Sequence, residues 1–321
     1  MRALGFRLGA VVLALGLCAA VAEIGLRLYD KPTLKHESLL SRRWEAGHVR
    51  TNTQAFRADY EYALARPPGI GRRIAVVGDS FAFGNGVDRE QTFAALLQEG
   101  LAGSGPDGGV EVLNFAQRGS ETADELRRFR EQSRQYEFDG TVLAWFLNDI
   151  GAHDAFPEAT APPPVPPRGL IGVLYRSSVA FNFLYLHGGQ LRLGGIGEAQ
   201  SDYHATLFRL LVEPERAARH RAELEQLADL AREGNRWIVA AMFPFPSIVD
   251  RYPPEGVEAH RAMRELFAGL GVPVVDLLEV YAEHPGRDLA VSRFDEHPSA
   301  LGHRLAAEAL LPLVETADRP R

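Results

Sequence analysis

The chain has 321 residues, 46% of them hydrophobic, and a formal net charge of −7. This length suffices for one large domain with a substantial core, and the acidic balance argues against nucleic acid, which needs Lys and Arg clustered on one face. Cys18 is the single cysteine, which excludes an internal disulfide and a cysteine-rich metal site.

Leu8 to Ala22 is uncharged and apolar, preceded by Arg2 and Arg7 and followed by Glu23, Arg27 and Lys31. A bilayer-spanning helix needs about 20 residues, which the run reaches when Gly5, Phe6 and Ile24 to Leu28 are included. Glu23 and Arg27 are spaced to pair one helical turn apart at the interface. Residues 1–30 therefore read as a retained signal anchor. A cleaved signal peptide with Ala20-Val21-Ala22 at the cut is the competing reading. A lipoprotein using Cys18 is disfavoured by the bulky Leu17 before it. Basic residues flank both ends, and the positive-inside rule taken alone would favour a cytoplasmic body.

Residues 31–71 are polar and mixed, close on Pro67-Pro68-Gly69, and read as a stalk. Residues 72–316 read as one domain. Apolar runs of strand length occur at Arg73–Gly78, Val110–Phe115, Thr141–Phe146, Trp237–Phe243 and Val272–Asp276. They lack alternation, as strands buried on both faces of a parallel sheet do. Helical patterns lie between them at Thr92–Leu101, Thr122–Tyr136, Pro214–Arg232, Val257–Leu270 and Ala300–Leu313. Alternating strands and helices predict an α/β fold, a three-layer α/β/α sandwich on a mostly parallel five-stranded sheet. Residues 151–213 interrupt the rhythm with a proline stretch, Ala161 to Pro167, and an apolar run, Leu170 to Leu193. That insertion reads either as a lid or membrane-skimming helix, or as a helix packed on the domain. Internal repeats, a Walker loop, a Rossmann glycine fingerprint and a His-Glu-x-x-His signature are all missing from the sequence.

The chemistry concentrates at the carboxyl ends of the expected strands, where α/β sheets bind ligands. The first strand runs into Gly78-Asp79-Ser80, followed by Gly84 and Gly86. The second is followed by Gln117-Arg118-Gly119-Ser120, where a glycine can offer its N–H unobstructed. The third ends in Phe146-Leu147-Asn148-Asp149, and the Asn148 amide can face a negative oxygen. Near the C-terminus stands Asp295-Glu296-His297-Pro298. A serine becomes a good nucleophile when a base takes its proton and a third group orients that base. Ser80, His297 and Asp295 are the candidates for those three roles. His303 falls within the last helical pattern and reads as structural.

These blocks resemble the SGNH hydrolases, the GDSL-type serine esterases, from about Arg72 onward. The resemblance implies that Ser80 is the nucleophile, His297 the base and Asp295 the acidic member. It also implies an oxyanion hole made by the backbone N–H groups of Ser80 and Gly119 and the Asn148 side chain, with no metal and no cofactor. The chain is similar in particular to membrane-anchored bacterial relatives, whose catalytic domain faces the periplasmic side. Three positions depart from the family pattern. Phe81 replaces the usual Leu, and Phe146 the glycine two positions before the Asn. The acidic residue stands two rather than three before the histidine, a spacing that resembles the branch containing polysaccharide O-acetylation proteins.

The implied activity is hydrolysis or transfer of O-acyl groups, acetyl foremost, on an envelope glycan or lipid ester. The expected partners are an acylated small molecule, glycan or lipid, the membrane through the N-terminal helix, and envelope proteins. A second reading is a catalytically reduced scaffold or carbohydrate-binding component of a polysaccharide modification complex, which the anchor and proline-rich insertion would also suit.

Overall fold

The computed structural model describes residues 2–33, 38–102, 108–151, 155–156, 166–188 and 195–317. In chain order the elements begin with helices α1 (Arg2–Leu28) and α2 (Leu39–His48), then β1 (Ile70–Gly78), the short α3 (Ser80–Phe83) and α4 (Phe93–Leu101). Next come β2 (Gly109–Asn114), α5 (Thr122–Gln135), β3 (Gly140–Phe146), α6 (Gly169–Ser177), α7 (Val179–His187), α8 (Gly195–Val212) and α9 (Pro214–Arg232). The chain continues through β4 (Trp237–Phe243), α10 (Pro254–Gly269), β5 (Val274–Asp276), α11 (Leu277–Tyr281) and α12 (Gly286–Leu289). It finishes with β6 (Ala290–Ser292), β7 (Asp295–Pro298) and α13 (Ala300–Ala317). Two compact units result: Met1–Gly47 with Pro162–Ser201, and His48–Ala161 with Asp202–Arg321.

The larger unit holds a five-stranded sheet in the order β2-β1-β3-β4-β5. All four pairings are parallel, with Val76 opposite both Asn114 and Val142, and Ala144 opposite Ala241. The five expected strands and the doubly wound class match this sheet. The strands carry continuous apolar runs because both faces are covered. Ile74, Val76, Val142, Trp145, Val239 and Met242 are fully buried. Helix starts follow from local chemistry as well. Thr92 caps α4 by accepting from the Ala95 N–H at 3.3 Å, and Asp276 caps α11 by accepting from the Leu278 N–H at 3.0 Å. The strand order reverses between β1 and β3, so their carboxyl ends border the crevice such sheets use for ligands.

Residues 48–71, expected as stalk, are part of this unit's fold. Arg57, Ala58 and Tyr62 are buried, and Phe56 stacks with Tyr62 and contacts Phe115 and Tyr136. Their polar sequence surroundings hide this role.

The smaller unit contains α1, most of α2, α6 and α7. Within α1, the segment Arg7–Leu28 is long and apolar enough to cross a membrane, and none of it is buried. Asn182 of α7 joins the other helices: its Oδ1 accepts from the Leu39 N–H at 2.8 Å and its Nδ2 donates to the Tyr175 carbonyl at 3.1 Å. The insertion expected at 151–213 supplies α6 and α7 to this unit, while α8 from Asp202 onward belongs to the larger one. Positions 161–165 of the proline stretch and 189–193 of the apolar run lie outside the described residues.

Candidate active site

Ser80 is delivered by the end of β1. Asp79 caps α3, its Oδ1 accepting from the Phe81 N–H at 2.8 Å, so Ser80 becomes the first residue of that helix. Gly84 closes the helix with a left-handed φ of 81°, a conformation that favours glycine, and its N–H returns to the Ser80 carbonyl at 3.0 Å. Arg57 then pins the loop from the outside. Its guanidinium donates to the carbonyl of Phe83 at 3.0 Å and to those of Gly84 and Val87.

His297 and Asp295 arrive on a hairpin that the sequence did not announce. β6 and β7 pair antiparallel, with Ala290 opposite Pro298 and Ser292 opposite Asp295. In an extended strand residues two apart share a face. The Asp295 Oδ1 therefore meets His297 Nδ1 at 2.5 Å while also accepting the His297 backbone N–H at 3.1 Å. Because a carboxylate only accepts, Nδ1 carries the proton and Nε2 is left as an acceptor. The Ser80 hydroxyl donates to that Nε2 at 2.8 Å. Ser80, His297 and Asp295 thus form one hydrogen-bonded line, all nine-tenths or more buried.

Between them in sequence, Glu296 serves the opposite face. It accepts from His204 Nε2 of α8 at 2.9 Å and from the Ser247 hydroxyl at 2.6 Å, and both carboxylate and imidazole are buried. This clamp ties β7 to α8 and to the turn at Pro246–Arg251. Burial pulls the His297 imidazole down, but the Asp295 charge and hydrogen bond, helped by Asp79, outweigh it and raise its pKa above the ordinary histidine value.

Two amides and a third carboxylate complete the surroundings. Asn148, at the end of β3, donates from Nδ2 to Asp79 Oδ2 at 3.1 Å, and the Ser80 hydroxyl lies 3.3 Å from that same oxygen. An amide nitrogen carries two hydrogens, so Asn148 keeps one N–H for a ligand. Asn85, which sequence reasoning passed over between Gly84 and Gly86, places Nδ2 3.3 Å from His297 Nε2. Gly119 sits in the loop after β2 at a left-handed φ of 63°, exposed, with nothing near the position a Cβ would take. Its neighbour Gln117 donates its backbone N–H to the Gly78 carbonyl at 3.1 Å, which ties this loop to the end of β1.

Asp79 is fully buried, and burial raises its pKa against the lowering effect of the Phe81, Asn148 and Ser80 hydrogen bonds and the His297 charge. Behind it, Glu125 of α5 and Asp149 are also buried; desolvation and the charge of Asp79 push both well above the usual carboxylate range, and Glu125 adds to the rise at Asp149.

Phe81 and Phe146 stack on each other with ring centroids 3.9 Å apart, and Phe81 lies 5.3 Å from the His297 ring. The two bulky departures from the family pattern are one aromatic pair that walls the histidine. His303 accepts the Phe93 N–H at the start of α4 through Nδ1 at 3.2 Å, and burial drops its pKa to about 3, so it is a neutral structural group. Arg57, Asn85, His204, Ser247 and Glu296 were not identified as site residues from sequence. Asn85 and Glu296 had a signal, each flanked by residues already singled out; His204 had none. Among the described residues no three His, Cys, Asp or Glu side chains are grouped to hold a metal ion.

The family of GDSL-like lipases and acylhydrolases matches residues 76–305. No curated protein matches the chain in sequence. Among solved structures the chain is similar to TesA, with 18% identity over 77% of this chain and 99% of that one and a TM-score of 0.48. It is also similar to an acetylxylan esterase from Geobacillus stearothermophilus, with 16% identity over 79% and 99% of the two chains and a TM-score of 0.48. A lipase/acylhydrolase from Enterococcus faecalis shares 16% identity over 78% and 98%, with a TM-score of 0.46. With the family match running from the end of β1 through the hairpin into α13, the chain belongs to the GDSL-like lipase/acylhydrolase family.

Proposed function

We propose that the protein is a serine esterase of the SGNH type that works through an acyl-Ser80 intermediate. The hydrogen-bonded line from Ser80 through His297 to Asp295 is the observation that carries this reading. His297 Nε2 takes the hydroxyl proton as Ser80 Oγ attacks an ester carbonyl. Asp295 holds the ring with Nδ1–H toward itself and stabilises the imidazolium that forms. The carbonyl oxygen becomes an oxyanion, and the Ser80 N–H, the Gly119 N–H and the second N–H of Asn148 are the donors to it. A donor of this kind is worth about 10²–10³ in rate. His297 then hands its proton to the departing alcohol, and a water or a sugar hydroxyl, deprotonated by the same nitrogen, releases the acyl group.

The substrate class proposed is an O-acyl, foremost O-acetyl, ester on a cell-envelope glycan or lipid. The support is the family together with α1, read here as a retained anchor that leaves the enzyme on the periplasmic side. Hydrolysis and transfer use the same residues and differ in which acceptor reaches the acyl-serine.

The test is Ser80→Ala assayed on a p-nitrophenyl acetate substrate and on an acetylated glycan. Activity should fall by several orders of magnitude, and a fluorophosphonate probe should label the wild-type protein at Ser80. Unchanged turnover, or labelling at another residue, would sink the assignment. A C-terminal alkaline phosphatase fusion should be active; an inactive one contradicts the periplasmic placement.

A further inference from the structure

We propose that α6 and α7 form an interfacial membrane element, lying in the headgroup region of an anionic phospholipid bilayer beside the point where α1 leaves it; this rests on reading α1 as a membrane anchor. The helices of the pair are largely apolar on both sides, although Asn182 and His187 are buried on the inner side of α7 and Arg176 is exposed on α6. Gly172, Tyr175, Val179, Ala180 and Phe183 are buried within the smaller unit. On the outside, α6 exposes Leu170 at 75% together with Ile171, Val173 and Leu174, and α7 exposes Leu184 and Tyr185. A helix packed on a water-soluble body carries polar residues on its outer face, and a contiguous apolar patch marks a contact surface.

Three features select lipid as the occupant. The first is the joint to α1. Glu23 accepts from the Ser178 hydroxyl at 2.8 Å and from the Val179 and Ala180 N–H groups at 3.1 and 2.9 Å, so a carboxylate of α1 caps the first turn of α7. Arg27 reinforces the joint by donating to Glu23 at 2.7 Å and to the Ser177 carbonyl at 3.1 Å. Glu23 lies little more than one turn before the end of the apolar segment Arg7–Leu28, whose last residue is 78% exposed. The joint therefore sets the start of α7 at the depth where α1 emerges from the bilayer.

The second feature is shape. The helices bend by 108° at their junction, and each has nine residues. Nine residues of helix extend about 13 Å, less than half of a hydrocarbon core of about 30 Å. Neither helix spans; a bent pair of this size fits the interface, where amphipathic helices lie.

The third feature is charge. Arg27, Lys31, Arg42, Arg43, Arg168 and Arg176 are exposed in this unit, whereas Asp30 is the exposed acid among residues 7–33, 38–47 and 166–188. This excess of exposed basic over acidic residues, in a chain of net charge −7, complements anionic headgroups. The exposed Tyr185 suits the same layer.

The experiment uses the full chain reconstituted into vesicles of phosphatidylethanolamine and phosphatidylglycerol. A polarity-sensitive fluorophore is placed on the native Cys18 of α1 or, in a Cys18→Ser background, on Leu170→Cys or Leu184→Cys. Lipids spin-labelled deep in the acyl chain should quench the Cys18 label. Lipids spin-labelled just below the headgroup should quench the labels at 170 and 184, and aqueous iodide should not. If Cys18 is quenched while the labels at 170 and 184 respond to iodide and not to spin-labelled lipid, the interfacial assignment is overturned and the anchor stands. Labels at 170 and 184 shielded from both quenchers would show that protein covers this face, which also overturns it. An unquenched Cys18 would remove the anchor reading and this inference with it.

Discussion

Asp295 reaches His297 because both lie on one side of an extended strand, and this explains the two-residue spacing between them. The pair is short, at 2.5 Å, and it leaves the imidazole with Nε2 toward Ser80. Replacing Asp295 with Asn keeps the shape but removes the charge and lets the ring take the wrong tautomer. In serine proteases the corresponding change lowers kcat by about 10⁴-fold, and a loss of that order is expected here. The pH profile provides a second readout. His297 must be neutral to accept the proton, and its pKa lies above the ordinary 6.5. Activity of the wild-type protein should thus fall away as pH drops through a value above 6.5. In Asp295→Asn the larger raising influence is gone and only Asp79 is left against burial, so the acid limb of kcat/KM should move down. An acid limb that stays in place would show that Asp295 does not tune this base. Asn85 works at the same scale. Its amide shares the Nε2 acceptor with Ser80 and so restrains the ring from the side opposite Asp295.

The β6–β7 hairpin is the element on which the arrangement depends, and Glu296 is what holds it. Alternation puts Asp295 and His297 on one face and gives Glu296 to His204 and Ser247 on the other. Glu296 touches no reacting group in this arrangement; it is a positioning residue. Glu296→Ala should lower kcat by roughly 10- to 100-fold, the cost of displacing a catalytic group by about 1 Å, with KM little changed. Glu296→Gln keeps an acceptor for Ser247 and should recover part of the loss. Equal kcat in wild type and Glu296→Ala, measured on folded protein, would show that the clamp is irrelevant to catalysis. The same element shows where sequence reading stops. β1 to β4 were legible because strands buried on both faces are continuous apolar runs, and Ser80, Asn148 and His297 were legible because they follow such runs or stand in distinctive blocks. Asp295 to Pro298 is polar, and its extended form comes from pairing with Ala290 to Ser292, which no local propensity announces. Likewise Arg57 is buried because three carbonyls of the serine loop take up its donors, a long-range match that the polar sequence of residues 48–71 does not reveal. His204 lies 92 residues from Glu296, on a helix with no motif around it.

Across the whole molecule, stability is tied to protons stored beneath the site. Asp79, Glu125 and Asp149 are buried at the carboxyl end of the sheet, in a chain that already carries a net charge of −7. Neither carboxylate oxygen of Glu125 has a hydrogen-bond partner among the described residues, nor does Oδ1 of Asp149. Charging such groups in a dry interior is costly, so Glu125 keeps its proton in the fold at a pH where the unfolded chain has released it. The sign follows from proton uptake. The stabilisation is fully present below the unfolded value near 4.5 and is lost as pH rises through the raised folded value. Glu125→Gln has nearly the same shape and no proton to lose. Urea unfolding of the two proteins between about pH 5 and pH 8 should show the wild type losing stability faster, by up to about 1.4 kcal/mol per pH unit where folded Glu125 is protonated and the unfolded residue is not. Asp79 and Asp149 remain in both proteins, so the difference between the curves isolates Glu125 apart from the relief its neutral replacement gives those neighbours. Parallel curves would mean that Glu125 ionises in the fold as freely as it does in the unfolded chain.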